Sequence, residues 1–219
     1  MASLNNKWIE ITSDVQYSPD LFCIPPHYKK DIKSVLIPNG FVKDRIARLA
    51  EEVVRDTDGP LNVCCILKGG YQFFSDLVHN MKKIRKINNS SIPLTYDFIK
   101  VKSYVNTQST GKIQVSLSEN DLKKFEGKDI LIVEDLIDTG KTMIELLKLL
   151  KQYNPRSVKV ACLMIKKRQN MDYPYVPDYV GFSIPDEFIV GYALDYNEHY
   201  RDLDHVCIIN DEAKIRFSI

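Results

Sequence analysis

Two adjacent carboxylates, Glu134 and Asp135, follow the apolar run Ile130 to Val133, and a few residues later come Asp138, Thr139 and Gly140. Ile130, Ile132 and Val133 are β-branched, which suits a buried parallel strand, and the Asp-Thr-Gly sequence favours a turn whose backbone N–H groups lie open. Such amides hold a phosphate. Met143, Leu146, Leu147 and Leu150 then recur at helical spacing, so the turn falls at a helix N-terminus, where the macrodipole adds to an anion's stabilisation. The strand is expected to stop at the carboxylates. Leu136, Ile137, Asp138, Thr139, Gly140, Lys141 and Thr142 then form a cradle for a monophosphate. Glu134 and Asp135 would face the 2- and 3-hydroxyls of a ribose 5-phosphate and any bound divalent metal.

Gly140-Lys141-Thr142 also completes the end of the nucleotide P-loop pattern G-x-x-x-x-G-K-[ST]. The first glycine of that pattern is replaced by Asp135, whose charge would repel a triphosphate and whose side chain would crowd the loop. A third reading makes the two acids caps of a solvated loop, which leaves the apolar strand feeding them unexplained.

Other segments carry weaker signals. Lys68-Gly69-Gly70 ends the apolar run Leu61 to Leu67; the glycines admit a close backbone approach to phosphate and Lys68 adds a cation, although glycines in such turns also serve structure alone. Residues 100–111 are polar and contain Tyr104, as either a lid or an ordinary hydrophilic hairpin would. Phe188, within Phe188-Ile189-Val190, reads as core on its own, and Arg201-Asp202 reads equally as a surface ion pair. His199 and His205 show no spacing that compels a metal site or a nucleophilic triad.

The segment Val133 to Thr142 resembles the phosphoribosyl diphosphate (PRPP) signature of the type I phosphoribosyltransferases. Leu67 to Tyr71, Lys102-Ser103-Tyr104, Val160 to Lys166, and Val190 to Glu198 followed by Arg201-Asp202 are similar, in order and spacing, to the hypoxanthine-guanine branch of that family, animal type. The likeness runs from Leu21 to about Ile209. It implies transfer of phosphoribosyl from PRPP to hypoxanthine or guanine, with Mg²⁺ as cofactor. By the same likeness Asp138 is catalytic, assisting proton transfer at N7, and Lys68, Gly69, Ser103, Tyr104 and Arg201 bind pyrophosphate. Lys166, Glu187, Phe188, Ile189 and Asp195 form the purine site, and Asp195 joins Glu134 and Asp135 around the metal. A cis peptide is implied between Leu67 and Lys68. The vertebrate members carry a basic residue where Glu187 stands, a departure that bears on base preference and not on reaction class.

The elements that must position these groups alternate. Leu61 to Leu67, Ile92 to Val101 and Val158 to Ile165 read as strands, and Lys43 to Arg55 and Tyr71 to about Lys83 read as helices. This is an α/β pattern, and ligands in such sheets bind beyond the carboxyl ends of the strands. The resemblance gives it the type I phosphoribosyltransferase fold, a mostly parallel central sheet flanked by helices. One domain of 219 residues is expected, with a core at about 40–185 and a small hood from about 1–39 and 186–219.

The composition excludes several classes. A hydrophobic content of 44% is that of a folded chain, and 30 basic against 29 acidic residues, net charge +1, give no reason to expect nucleic acid or membrane as a partner. No signal segment or membrane-length apolar run is present, so a cytoplasmic protein is expected. The five cysteines lack zinc-ligand spacing and read as small buried residues in a reducing compartment. The resemblance further implies a homodimer or homotetramer.

Overall fold

The computed structural model describes residues 7–87, 89–103, 113–167 and 175–218. In chain order these form β1 (Ile9–Glu10), β2 (Ile32–Ile37), α1 (Asn39–Arg55), β3 (Leu61–Leu67), α2 (Tyr71–Lys83), β4 (Leu94–Ser103), β5 (Ile113–Val115), α3 (Glu119–Lys123), β6 (Asp129–Ile137), α4 (Lys141–Lys151), β7 (Ser157–Lys167), β8 (Tyr179–Pro185), β9 (Ile189–Val190), β10 (Val206–Ile209) and α5 (Asp211–Arg216).

The main sheet has the order β1-β8-β7-β6-β3-β4-β5 and is parallel except for the β4–β5 pair. Its inner strands are apolar on both faces because helices cover both. Val63, Cys65, Leu131 and Val133 pack with α1 and α2 through Ile46, Leu49, Phe73 and Leu77. Their neighbours Cys64, Ile66, Ile130 and Ile132 pack on the other side with Met143, Leu146 and Leu150 of α4. The period-2 alternation of the strands thus meets the 3.6-residue stripe of each helix.

The connections β3–α2–β4 and β6–α4–β7 leave adjacent strands in opposite directions across the sheet. The turns after β3 and β6 therefore flank a crevice at the carboxyl edge, where open α/β sheets bind ligands. A second sheet of three strands, β2-β10-β9, has β10 antiparallel to both neighbours. Val35, Val190, Tyr200, Leu203 and Cys207 form its own apolar cluster.

Several expectations need correction. β6 does not stop at the carboxylates but runs to Ile137, because β7 continues to pair with it through Leu136↔Met164 and Ile137↔Ile165. β3 leaves β6 after Cys65↔Val133, so Glu134 and Asp135 stand where one edge of the strand has lost its neighbour. α1 starts at Asn39, four residues before the expected Lys43, after Pro38 in extended conformation. Proline fits there because its missing N–H would have had no helical partner. Cys23 is exposed, whereas Cys64, Cys65, Cys162 and Cys207 are buried.

Candidate active site

The β6–α4 turn is Asp138-Thr139-Gly140. Gly140 has φ of 73°, a left-handed conformation that glycine adopts without cost, and as N-cap it has no side chain to cover the first amides of α4. Glu134, Leu136, Ile137, Asp138, Thr139, Gly140 and Thr142 line a cleft of about 280 Å³. A P-loop would need a longer wrapping segment, and its place is taken by strand.

Across the crevice, the Leu67–Lys68 peptide is cis, as the resemblance implies. A Cβ on Gly69 would overlap the Asp135 carboxylate, with Cγ only 2.7 Å away, and one on Gly70 would lie 2.6 Å from the Ile66 carbonyl oxygen. These glycines are thus required by close approach of the β3 turn to β6. Asp135 is 9% exposed. Burial first, then the Asp135 charge, raises the Glu134 carboxyl well above its ordinary value of 4.5. Burial, with Glu134 and Asp135 nearby, also pushes the Cys65 thiol up to about 12. A pair of adjacent carboxylates in this position can accept from hydroxyl donors or meet a hard cation. Mg²⁺ suits such oxygen donors and retains waters, so few protein ligands suffice. Among the described residues no group of three His, Cys, Asp or Glu is gathered for a metal.

Asp195, Glu198 and Arg201 come from the turns between β9 and β10. Arg201 Nη2 lies 2.8 Å from Asp195 Oδ1, and Arg201 Nη1 donates to the Ala193 carbonyl at 2.8 Å. The other Asp195 oxygen accepts from the Glu198 N–H at 2.7 Å. Glu198 Oε2 lies 2.8 Å from Lys68 Nζ and 3.5 Å from Arg201 Nη2. Lys68 and Arg201 are therefore brought together on one carboxylate. Asp202, the alternative partner of Arg201, accepts instead from the Tyr28 hydroxyl at 2.9 Å.

Lys166 sits at the end of β7, with Nζ 3.5 Å from Asp186 Oδ1. Pairing of β7 with β8 through Lys166↔Ile184 brings it beside the segment that leads to Glu187, Phe188 and Ile189. Phe188 is 41% exposed and meets Tyr196 edge-on at 5.2 Å, so one apolar ring face is not used by the core. Ile189 lies in β9, an edge strand whose backbone is paired only on the β10 side. Ser103 ends β4, its backbone paired with Ile113. Tyr104 lies outside the described residues.

The phosphoribosyl transferase domain family matches residues 38–197, most of the chain. The chain belongs to the phosphoribosyltransferase family. Curated relatives include hypoxanthine-guanine phosphoribosyltransferase of Rattus norvegicus, 50% identical over 99% of both chains. That of Homo sapiens is 53% identical over 92% of each. Among solved structures, the hypoxanthine-guanine phosphoribosyltransferase of Schistosoma mansoni in complex with IMP is similar, with TM-score 0.81 and 33% identity. It covers 96% of this chain and 99% of that one.

As a phosphoribosyltransferase, the chain has site neighbours that sequence reasoning missed. Glu198 stands three residues before Arg201, a spacing that could have flagged an ion pair. Tyr192 and Asp76 hydrogen-bond across 116 residues of sequence, and no local pattern announces that. Among the described residues no helix is long and apolar enough to cross a membrane.

Proposed function

We propose that this protein transfers the 5-phosphoribosyl group of PRPP to N9 of hypoxanthine or guanine, releasing IMP or GMP and pyrophosphate in purine salvage. The observation that carries the reading is the crevice between the β3 and β6 turns. There Asp135 backs onto Gly69 and the glycine-capped α4 opens beside Asp138. The likeness to relatives named for this reaction supports it.

The amides of Asp138 to Thr142 hold the 5-phosphate at the helix N-terminus. Glu134 and Asp135 accept from the ribose hydroxyls. As the bond from C1 to pyrophosphate breaks and that from N9 to C1 forms, positive charge develops on the ribose ring. Lys68 and Arg201 stabilise the charge gathering on pyrophosphate, and Asp138 takes the proton leaving N7. Ser103, which ends β4, and the following Tyr104 would contact the pyrophosphate oxygens and exclude water. Glu134, Asp135 and Asp195 would hold Mg²⁺, which would supply further charge neutralisation on pyrophosphate.

Phe188 stacks on the purine, and Lys166 donates to the exocyclic oxygen at position 6. That donor selects 6-oxopurines over adenine, whose amino group cannot accept the bond. Backbone groups at Glu187 and Ile189 read the remaining base edge. The chain acts as one domain, with a core at about 40–185 and a hood from the flanking segments, in the cytoplasm. Exposed Tyr96 and Phe98, each meeting the Phe74 ring edge-on, support assembly as a homodimer or homotetramer.

The test is incubation of the purified protein with PRPP and Mg²⁺, offering hypoxanthine, guanine, xanthine and adenine separately. Nucleotide is expected from the 6-oxopurines and strongly reduced in Asp138→Asn. Product from adenine instead would move the reading to another base. Absence of product with every base, despite PRPP binding, would leave a sensor on the same fold.

A further inference from the structure

Glu198 sits between the two cations assigned to pyrophosphate. Its Oε2 is 2.8 Å from Lys68 Nζ and 3.5 Å from both Nη2 and Nε of Arg201. Arg201 Nε is buried and has no hydrogen-bond partner among the described residues, so the carboxylate covers this donor without bonding it. With Asp195 at 2.8 Å from Arg201, the cluster holds two cations and two anions and is electrically neutral. A pyrophosphate oxygen approaching it meets no net positive charge.

The two acids differ in their freedom. Asp195 is bound on both sides, accepting from the Glu198 N–H and from Arg201, and its side chain is 28% exposed. That bond fixes the backbone of Glu198, whose φ is +71°. The Glu198 side chain, 64% exposed, can swing into solvent with no change in the backbone.

We propose that Glu198 is a resident stand-in for pyrophosphate, a positioning residue that orients Lys68 and Arg201 and competes with the substrate's diphosphate for them. The inference rests on the assignment of Lys68 and Arg201 to pyrophosphate made above. On arrival of PRPP the carboxylate leaves and the exposed donors pass to phosphate oxygens. When pyrophosphate departs the carboxylate returns, which shortens the stay of that product.

The test uses the full chain with Glu198→Gln, which keeps shape and loses charge, and Glu198→Asp, which keeps charge. Pyrophosphate with Mg²⁺ is titrated calorimetrically, and KM is measured for PRPP and for hypoxanthine. An exposed ion pair of this kind is worth up to about a fivefold change in an equilibrium constant. Glu198→Gln should therefore bind pyrophosphate roughly two- to fivefold more tightly, with a parallel fall in KM for PRPP and none for hypoxanthine. Glu198→Asp should stay nearer the parent. A merely structural glutamate would not give a gain of affinity confined to one substrate. Unchanged or weaker pyrophosphate binding by Glu198→Gln, in a parent protein that binds pyrophosphate and makes nucleotide, would overturn this inference alone. A parent that does neither would overturn the assignment beneath it as well.

Discussion

Tyr192 donates its hydroxyl to the carboxylate of Asp76, joining the turn after β9 to the middle of α2. Asp76 also accepts from Lys43 at 2.5 Å and from Gln72 at 3.3 Å, while Lys43 Nζ lies 5.7 Å from the Tyr192 ring centroid. Tyr192 is buried with φ of +51°, and burial first, then Asp76, raises its phenol above the ordinary value. The next residue, Ala193, provides the carbonyl that holds Arg201. One hydrogen bond thus stands behind the position of Arg201, proposed above to bind pyrophosphate.

Asp76→Ala should strand the buried Tyr192 hydroxyl at a cost of about 1–3 kcal/mol. For a chain of this size that lowers the melting temperature by roughly 3–10 °C. Tyr192→Phe should cost less, because Asp76 keeps Lys43 and Gln72. Thermal melts of both single variants and the double variant check this: the double should fall short of the sum, since the residues share one bond.

Gly69→Ala should act on Asp135 more than on the fold. The new methyl group needs the space of a short, buried carboxylate, which must leave the place from which it is proposed to face the ribose. Misplacement of a positioning group by about 1 Å costs on the order of a hundredfold in rate. Steady-state assays should show that loss. Adding Asp135→Ala should recover melting temperature but not activity.

His205 should make stability fall on acidification. Its Nδ1 accepts the Asn39 N–H at 3.0 Å, which only the neutral ring can do. Burial, outweighing the nearby Asp204, holds its pKa below the ordinary 6.5. The unfolded chain takes up a proton near 6.5 while the native state resists, so stability is full above that pH and declines below it. Melting curves from pH 7.5 to about 5.5 should show the decline, and His205→Asn should flatten it.

Thiol chemistry should single out Cys23. Burial holds Cys64 and Cys162 far above the ordinary thiol value and pushes Cys65 and Cys207 up to about 12. The thiolate is the reactive form. A disulfide reagent at mildly alkaline pH should therefore titrate one thiol in the native protein and all five after denaturation. Rapid modification of more than one native thiol would contradict the buried positions.

Elements made of unbroken local pattern were legible in the sequence. Leu61–Leu67 and Tyr71–Lys83 have the expected bounds, because a pure apolar run and a clean helical stripe each allow one reading. β8 was missed because Gly181 and Ser183 interrupt its apolar character. Gly181 is needed there because a side chain would lie 2.5 Å from the Leu163 carbonyl oxygen. β2 and β10 were missed as strands since their pairing joins segments some 170 residues apart. Within the site, the Asp135–Gly69 approach, the opposite exits of β3 and β6, and the lodging of Glu198 on Lys68 depend on register and on a left-handed turn. No residue type specifies either.

The central place of β10 in the three-stranded sheet has a consequence for synthesis on the ribosome. β2 emerges early and β9 late, yet they do not pair with each other, and both wait for Val206–Ile209. Most of the parallel sheet can assemble while the chain is still growing. Arg201 and its supporting turn are secured only when the segment that follows them has left the exit tunnel. A nascent chain can thus bury much of its core before it can act on a substrate, and activity waits for the arrival of β10.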